Sequence, residues 1–232
     1  NGYGAAAGAA GALAAGLALG LVNGQIVTRL NVPSLIGTLG VAAAARGLAF
    51  WITQGVGFTG RWPTSFTGLA RGATFGVPHL VLWLMAATGF AFVLLKWTRT
   101  GAHLAATGEA DEAARLAGVD TPKMRRLGLA LSGLFAGVAA LLLAANLSSA
   151  APNMAGDFFL YAIAAVLLGM TMFEPGRPNV PGTVFAAFTL KALGNGMVLM
   201  GAPYYAQDIA LGVIIVASVA ASSACVFFAN GL

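Results

Sequence analysis

Long apolar runs alternate with short polar stretches along the whole chain. Seven such runs, at about 4–22, 35–52, 77–95, 127–147, 158–173, 180–198 and 209–228, carry almost no charge. A helix needs about 20 apolar residues to cross a bilayer, with a usual range of about 17–25. Backbone groups in hydrocarbon must be bonded within their own segment, so each run is predicted to be helical. The run 158–173 is slightly short, which predicts a broken or re-entrant segment. "EPGRPNVP" (174–181) follows it, and its prolines and glycine predict a tight, helix-breaking turn. The pattern predicts an all-α, polytopic helical membrane protein with about seven spans, forming a single transmembrane domain over 1–232.

Glycines give the first run a second pattern. Gly4 and Gly8, then Gly16, Gly20 and Gly24, recur at four-residue spacing, and Gly133 and Gly137 repeat it later. That spacing makes a flat groove on one helix face and lets two helix backbones approach closely. It is a packing signal and says nothing about cargo.

Composition agrees with the pattern. The 232 residues are 59% hydrophobic and 8% charged, against about 25% charged in soluble domains. The formal charge of +5 does not call for nucleic acid, because membrane proteins gather Lys and Arg in cytoplasmic loops. The expected surroundings are a lipid bilayer, with no nucleic-acid partner. The single cysteine, Cys225, excludes an intrachain disulfide and reads as a small buried hydrophobe. Two histidines and one cysteine make no recognisable structural metal site, so no metal is expected.

Basic residues orient the spans. With seven spans, the loops 23–34, 96–126 and 174–179 lie on one side and hold Arg29, Lys96, Arg99, Arg115, Lys123, Arg125, Arg126 and Arg177. The opposite loop, 53–76, holds Arg61 and Arg71. The positive-inside rule then makes 96–126 cytoplasmic and Asn1 external. An external, apolar start with an odd number of spans is easiest to explain if earlier spans are missing.

One stretch, "GEADEAARLAGVDTPKMRR" (108–126), concentrates charge that the rest of the chain avoids. Acidic Glu109, Asp111 and Glu112 precede Arg115, the order that suits the dipole of a short helix over about 109–118. Gly118 is placed to end it in the left-handed conformation. Thr121 is expected to cap the next helix, with Pro122 in its first turn. Ala113, Ala114, Leu116 and Ala117 give the short helix a small apolar face, too slight for a membrane anchor and better suited to a shallow protein groove.

"EAARLAG" (112–118) resembles the EAA---G signature of permeases in bacterial ATP-binding-cassette importers, where it forms the coupling helix that fits into the ATPase. Further stretches resemble, in order, the ribose-type (simple sugar) permeases: "NGQIVTRLNVPSLIGTLGVAAAARGLA" (23–49), "LALSGLFAGVAALLLAANLSSAAPN" (129–153), "YAIAAVLLG" (161–169), "GRPNVPGT" (176–183) and "LGNGMVLMGAPYYAQDIALGVIIV" (193–216). The resemblance covers nearly all of the chain. It implies a permease of about ten spans, incomplete here at its amino end, in the bacterial inner (plasma) membrane. Coupling to the ATPase would fall to Glu109, Asp111, Glu112, Ala113, Ala114, Arg115 and Gly118. The implied partners are a cytoplasmic ATPase that carries ATP and Mg, a periplasmic or extracellular solute-binding protein, and a second permease, identical or not. No cofactor is expected on this chain. Members of the family often carry carboxylates just before "AIAAV", where this chain has Phe159 and Tyr161.

A few polar residues lie inside the predicted spans. Arg46 is deep in 35–52 and Lys191 near the middle of 180–198. An unpaired charge at mid-bilayer costs about 2.5–3.5 kcal/mol on insertion scales. Each therefore bonds neighbouring helices, snorkels to an edge or lines a solute path. Asn195 and Thr38 are further candidates for the path. Phe159 and Tyr161 point about 200° apart on a helix, so Tyr161 is expected to face the path and Phe159 to pack against a neighbouring span.

Four classes compete for this pattern. A permease powered by a separate ATPase, importing a sugar or similar small hydroxylated solute by alternating access, accounts for the spans and for the docking helix. A secondary transporter or channel for a small polar solute, without an ATPase partner, is the alternative. Coupling to protons or sodium calls for a carboxylate within a span, and none of the seven acidic residues lies in an apolar core. An intramembrane enzyme needs a nucleophile with a base, or metal ligands, inside the spans, and neither is present. A purely structural bundle leaves the docking helix unexplained. No P-loop occurs, so ATP hydrolysis is expected on a partner.

Overall fold

The computed structural model describes residues 2–30, 32–60, 62–173 and 176–230. Asn1, Arg61 and the side chain of Cys225, all singled out above, lie outside the described residues. The chain divides into two compact units, Asn1–Met154 and Ala155–Leu232.

The first unit contains helices α1 (Gly2–Arg29), α2 (Ser34–Thr53), α3 (Thr64–Arg71), α4 (His79–Trp97), α5 (Arg99–Glu109), α6 (Asp111–Leu116) and α7 (Thr121–Leu147). Two short antiparallel pairs accompany them: β1 (Phe58–Thr59) with β4 (Ser149–Ala150), and β2 (Ala73–Thr74) with β3 (Val77–Pro78). The second unit consists of α8 (Phe158–Gly169), α9 (Val180–Leu199) and α10 (Tyr204–Asn230).

All seven apolar runs are helical. Among the described residues, five helices are long and apolar enough to cross a membrane: Ala6–Arg29 of α1, then α2, α4, α7 and α9. α8 has 12 residues, about 18 Å at 1.5 Å per residue. That falls well short of a hydrocarbon core of about 30 Å, as the shortness of 158–173 predicted. The helix stops at Gly169, and 170–173 continue as turns.

The glycine spacing resolves into one seam. A Cβ on Gly16 would lie 2.5 Å from the carbonyl oxygen of Gly133, and one on Gly20 would lie 2.6 Å from that of Leu129. Gly24 meets Arg126 and Gly137 meets Ala12, so numbering rises along α1 as it falls along α7. The two helices are antiparallel and in backbone contact, which only residues without a side chain permit.

At the far end of α7 the segment between α2 and α4 is structured, where the sequence suggested only a loop. α3 turns Phe66 and Ala70, one helical turn apart, onto Leu141 and Ala145 of α7 in a small core. Trp62 stacks on Phe66 with ring centroids 5.1 Å apart. Arg71 Nε donates to the Asn146 carbonyl at 2.7 Å, placing a cation at the negative end of α7. The β1–β4 pairing brings the end of α2 and the end of α7 to one face, the parity expected of spans two and four.

In the second unit α8, α9 and α10 close over Ala164, Ala165, Ala186, Leu190 and Leu211. Asn179 stitches its lower end. Its Oδ1 accepts from Gly182 N at 2.7 Å, and its Nδ2 donates to the Gly169 carbonyl at 3.2 Å.

Candidate functional site

Two places hold most of the residues singled out from the sequence: the charged segment of the first unit and a hollow in the second.

The charged segment forms two helices where one was expected. Thr98 Oγ1 accepts from Gly101 N at 3.0 Å, so α5 starts immediately after α4 and runs on to Glu109. Ala110 then leaves the helical region, at φ −150° and ψ 89°. Glu109 therefore ends α5 instead of opening the short helix. Asp111 and Glu112 occupy the first turn of α6 and Arg115 its last, the order that the dipole favours.

α6 is held at its base and bare at its tip. Arg125 Nη2 of α7 lies 3.2 Å from Asp111 Oδ2. Ala114 is buried against the protein, while Leu116 is 87% exposed. Glu112, Ala113, Arg115 and Ala117 are exposed beside it. Gly118 has φ 84°, the left-handed stop expected of it. There the Val119 N–H donates back to the Ala114 carbonyl at 3.0 Å.

The cap of α7 is Asp120, not Thr121. Its carboxylate accepts from Lys123 N at 3.1 Å and pairs with Lys123 Nζ at 2.8 Å. Thr121 is instead buried as the first helical residue. The carboxylate gives one oxygen to a backbone N–H and the other to an ammonium, and its charge matches the ammonium's, which a hydroxyl's does not. The side-chain hydrogen bond from Lys123, and then the backbone one, hold the Asp120 carboxyl below its ordinary value.

The five candidates for a solute path separate. Thr38, on α2, gives its hydroxyl proton to its own helix, to the Ser34 carbonyl at 2.8 Å and the Leu35 carbonyl at 3.1 Å. Arg46 is exposed on the same helix, which buries no residue. Tyr161, Lys191 and Asn195, from α8 and α9, line one hollow of about 380 Å³ together with Gly194, Val198 and Gln207.

Within that hollow Lys191 Nζ lies 3.8 Å from the Tyr161 ring centroid and 5.0 Å from that of Phe158. Lys191 is exposed in the chain, so each contact is of the exposed kind, contributing about 0.5–1 kcal/mol. Gly194 leaves the wall thin. A Cβ there would sit 3.4 Å from Gln207 Oε1 and 3.9 Å from Tyr161 Oη. An ammonium, two amides and a phenol thus surround a small space with one aromatic wall, a set able to hold an oxygen-rich solute.

Phe159 is 47% exposed. Two residues escaped the sequence reading: Gln207, which lines the hollow, and Phe158, whose ring lies against Lys191. Phe158 reads as one more apolar residue of its run. Gln207 stands beside Asp208 at what reads as the solvated end of a span, and its only signal is an amide in the first turn of an apolar helix. Among the described residues, no group of His, Cys, Asp and Glu could hold a metal ion.

Comparison with known proteins places the chain. The family model described as "Branched-chain amino acid transport system / permease component" matches residues 2–219. The ribose import permease protein RbsC of Escherichia coli (strain K12) is 36% identical over 203 residues, covering 85% of this chain and 63% of the relative. RbsC of Bacillus subtilis (strain 168) is 31% identical over 198 residues, with coverage of 85% and 62%. The L-arabinose transport system permease protein AraH of E. coli (strain K12) is 33% identical over 199 residues, with coverage of 85% and 60%. The chain thus spans about three-fifths of the length of these curated relatives. No solved structure matches. The resemblance to ribose-type permeases is borne out, and the multi-pass helical architecture agrees with it. By a match that runs almost from end to end, the chain belongs to the family of permease components of branched-chain amino acid transport systems.

Proposed function

We propose that this chain is the membrane-spanning part of an ATP-driven importer that carries a sugar or similar small hydroxylated solute into a bacterial cell by alternating access. The observation that carries the reading is α6, a short helix with an exposed apolar tip at Leu116, strapped at its base to a long span by Asp111 and Arg125. A helix so held transmits a push instead of absorbing it. In this reading "EAARLAG" (112–118) is the coupling motif, and Glu109, Glu112 and Arg115 meet the groove of an ATPase that holds ATP and Mg. The loop 96–126 is cytoplasmic, and the face bearing α3 and the β2–β3 hairpin is external. A solute-binding protein delivers cargo there, and a second permease, identical or not, completes the path. The ribose and arabinose permeases among its relatives support a polyhydroxylated cargo, and so do the amides and phenol around the hollow in the second unit.

Cross-linking tests the reading. Leu116→Cys is expected to cross-link to the co-expressed ATPase, and Glu112→Lys to lower ATP-dependent uptake while leaving insertion normal. A cysteine at Ala105 should be labelled only from the cytoplasm, and one at Phe75 only from outside. Uptake that survives Glu112→Lys, with no cross-link from residue 116, would make the segment a mere connector.

A further inference from the structure

The hollow in the second unit carries one charge, Lys191, which forms no ion pair among the described residues. Lys191 Nζ rests against the rings of Tyr161 and Phe158. No carboxylate among the described residues pairs with it. Asp208 follows Gln207 on α10, and Asp157 stands just before α8, yet neither forms an ion pair with the ammonium. Aromatic faces stabilise a cation by their quadrupoles but accept no conventional hydrogen bond. The ammonium is exposed to the hollow, and its N–H donors are open to a bound solute. The remaining polar lining is neutral, comprising Tyr161, Asn195 and Gln207.

We infer that the cargo supplies the missing anion, and that the hollow selects hydroxylated carboxylates, the sugar acids, over neutral sugars. The carboxylate pairs with Lys191 in a charge-assisted contact. Asn195, Gln207 and the Tyr161 hydroxyl bond the cargo's hydroxyls. Lys191 is then the specificity-determining residue of the hollow. Its seat on the Tyr161 ring is also the face on which a sugar ring would stack, so a neutral sugar competes with the ammonium for that face. A carboxylate draws the ammonium off it.

This inference rests on the importer reading above but is tested apart from it. The purified permease, assembled with its partners in nanodiscs, is titrated with radiolabelled D-galacturonate, D-glucuronate and D-gluconate, and with D-galactose, D-glucose and D-glucitol as neutral counterparts. At least one carboxylate is expected to bind at least tenfold more tightly than its neutral counterpart. Lys191→Gln should abolish that preference, weakening the carboxylate at least tenfold while the neutral sugar, freed of its competitor on the Tyr161 ring, binds as well or better. Lys191→Arg, which keeps the charge, should retain most of it, and this separates lost charge from lost folding. No saturable binding of any of the three carboxylates overturns the inference, and so does a preference that Lys191→Gln leaves unchanged. The importer reading is judged separately, by ATP-dependent uptake.

Discussion

Arg125 Nη2 lies 3.2 Å from Asp111 Oδ2, and this contact ties the first residue of α6 to the first turns of α7. Both side chains are partly exposed, so the pair contributes only about 0–1 kcal/mol to stability. Its importance is positional. Asp111→Arg and Arg125→Asp, each alone, should leave folding nearly intact but cut solute-stimulated ATP hydrolysis in the assembled importer severalfold. The double swap should recover most of the loss. Two single variants that hydrolyse ATP normally would show that α6 needs no strap.

The glycine seam is sensitive to a single side chain. A Cβ on Gly133 would overlap the Gly16 carbonyl oxygen and lie 2.8 Å from Gly20 Cα. Because backbone, not a flexible side chain, stands in the way, Gly133→Leu should cost at least the roughly 1–3 kcal/mol of ordinary overpacking. Gly40→Ala is the control. Nothing lies within 4 Å of a Cβ there, and alanine favours a helix over glycine by about 1 kcal/mol. Thermal unfolding in detergent should separate the two variants clearly, the first downward and the second level or upward.

A strained aromatic sits at the tip of the β2–β3 hairpin. Phe75 has φ 53° beside Gly76 at 79°, the two left-handed positions of a tight hairpin turn. Its ring is fully exposed, so it gains no burial within the chain in return. Phe75→Asn should raise stability by about 1 kcal/mol, the lower end of the cost of such a backbone. A higher denaturation midpoint checks this, and a lower one would mean that the ring is held by something outside the chain.

Acid should loosen the start of α7. Lys123 holds the Asp120 carboxyl below its ordinary value of 3.8. A carboxyl whose folded value is depressed contributes stability that is fully present above its unfolded value. That contribution fades as pH falls through the folded value. The stability difference between the native chain and Asp120→Asn should thus be constant near neutrality and shrink only below about the ordinary carboxylate range. A difference that changes between pH 6 and 8 would point to another group.

Much of this structure is legible in the order of residues, for physical reasons that also mark the limit. The runs could be read as helices because a bilayer allows little else. The shortness of α8 follows from counting. Gly118 is readable because few residues other than glycine tolerate its backbone. The break at Ala110 is not, since alanine is a strong helix former and the interruption comes from how α5 and α6 pack on α7. Tyr161, Lys191 and Asn195 each stand out as polar residues in apolar surroundings. That they meet depends on the register between α8 and α9, set by alanines and glycines far along both helices. Gln207 joins them from a third helix, and no local pattern announces it.

The seam between α1 and α7 has a mechanical consequence. Two helices in backbone contact along several turns have no side-chain layer to slide or re-pack, so they resist shear and behave as one beam. Asp111 fastens α6 to the root of that beam. α7 runs about 40 Å at 1.5 Å per residue, from the foot of α6 to α3 and the paired strands at its other end. A push on α6 is therefore expected to be carried there by α1 and α7 together.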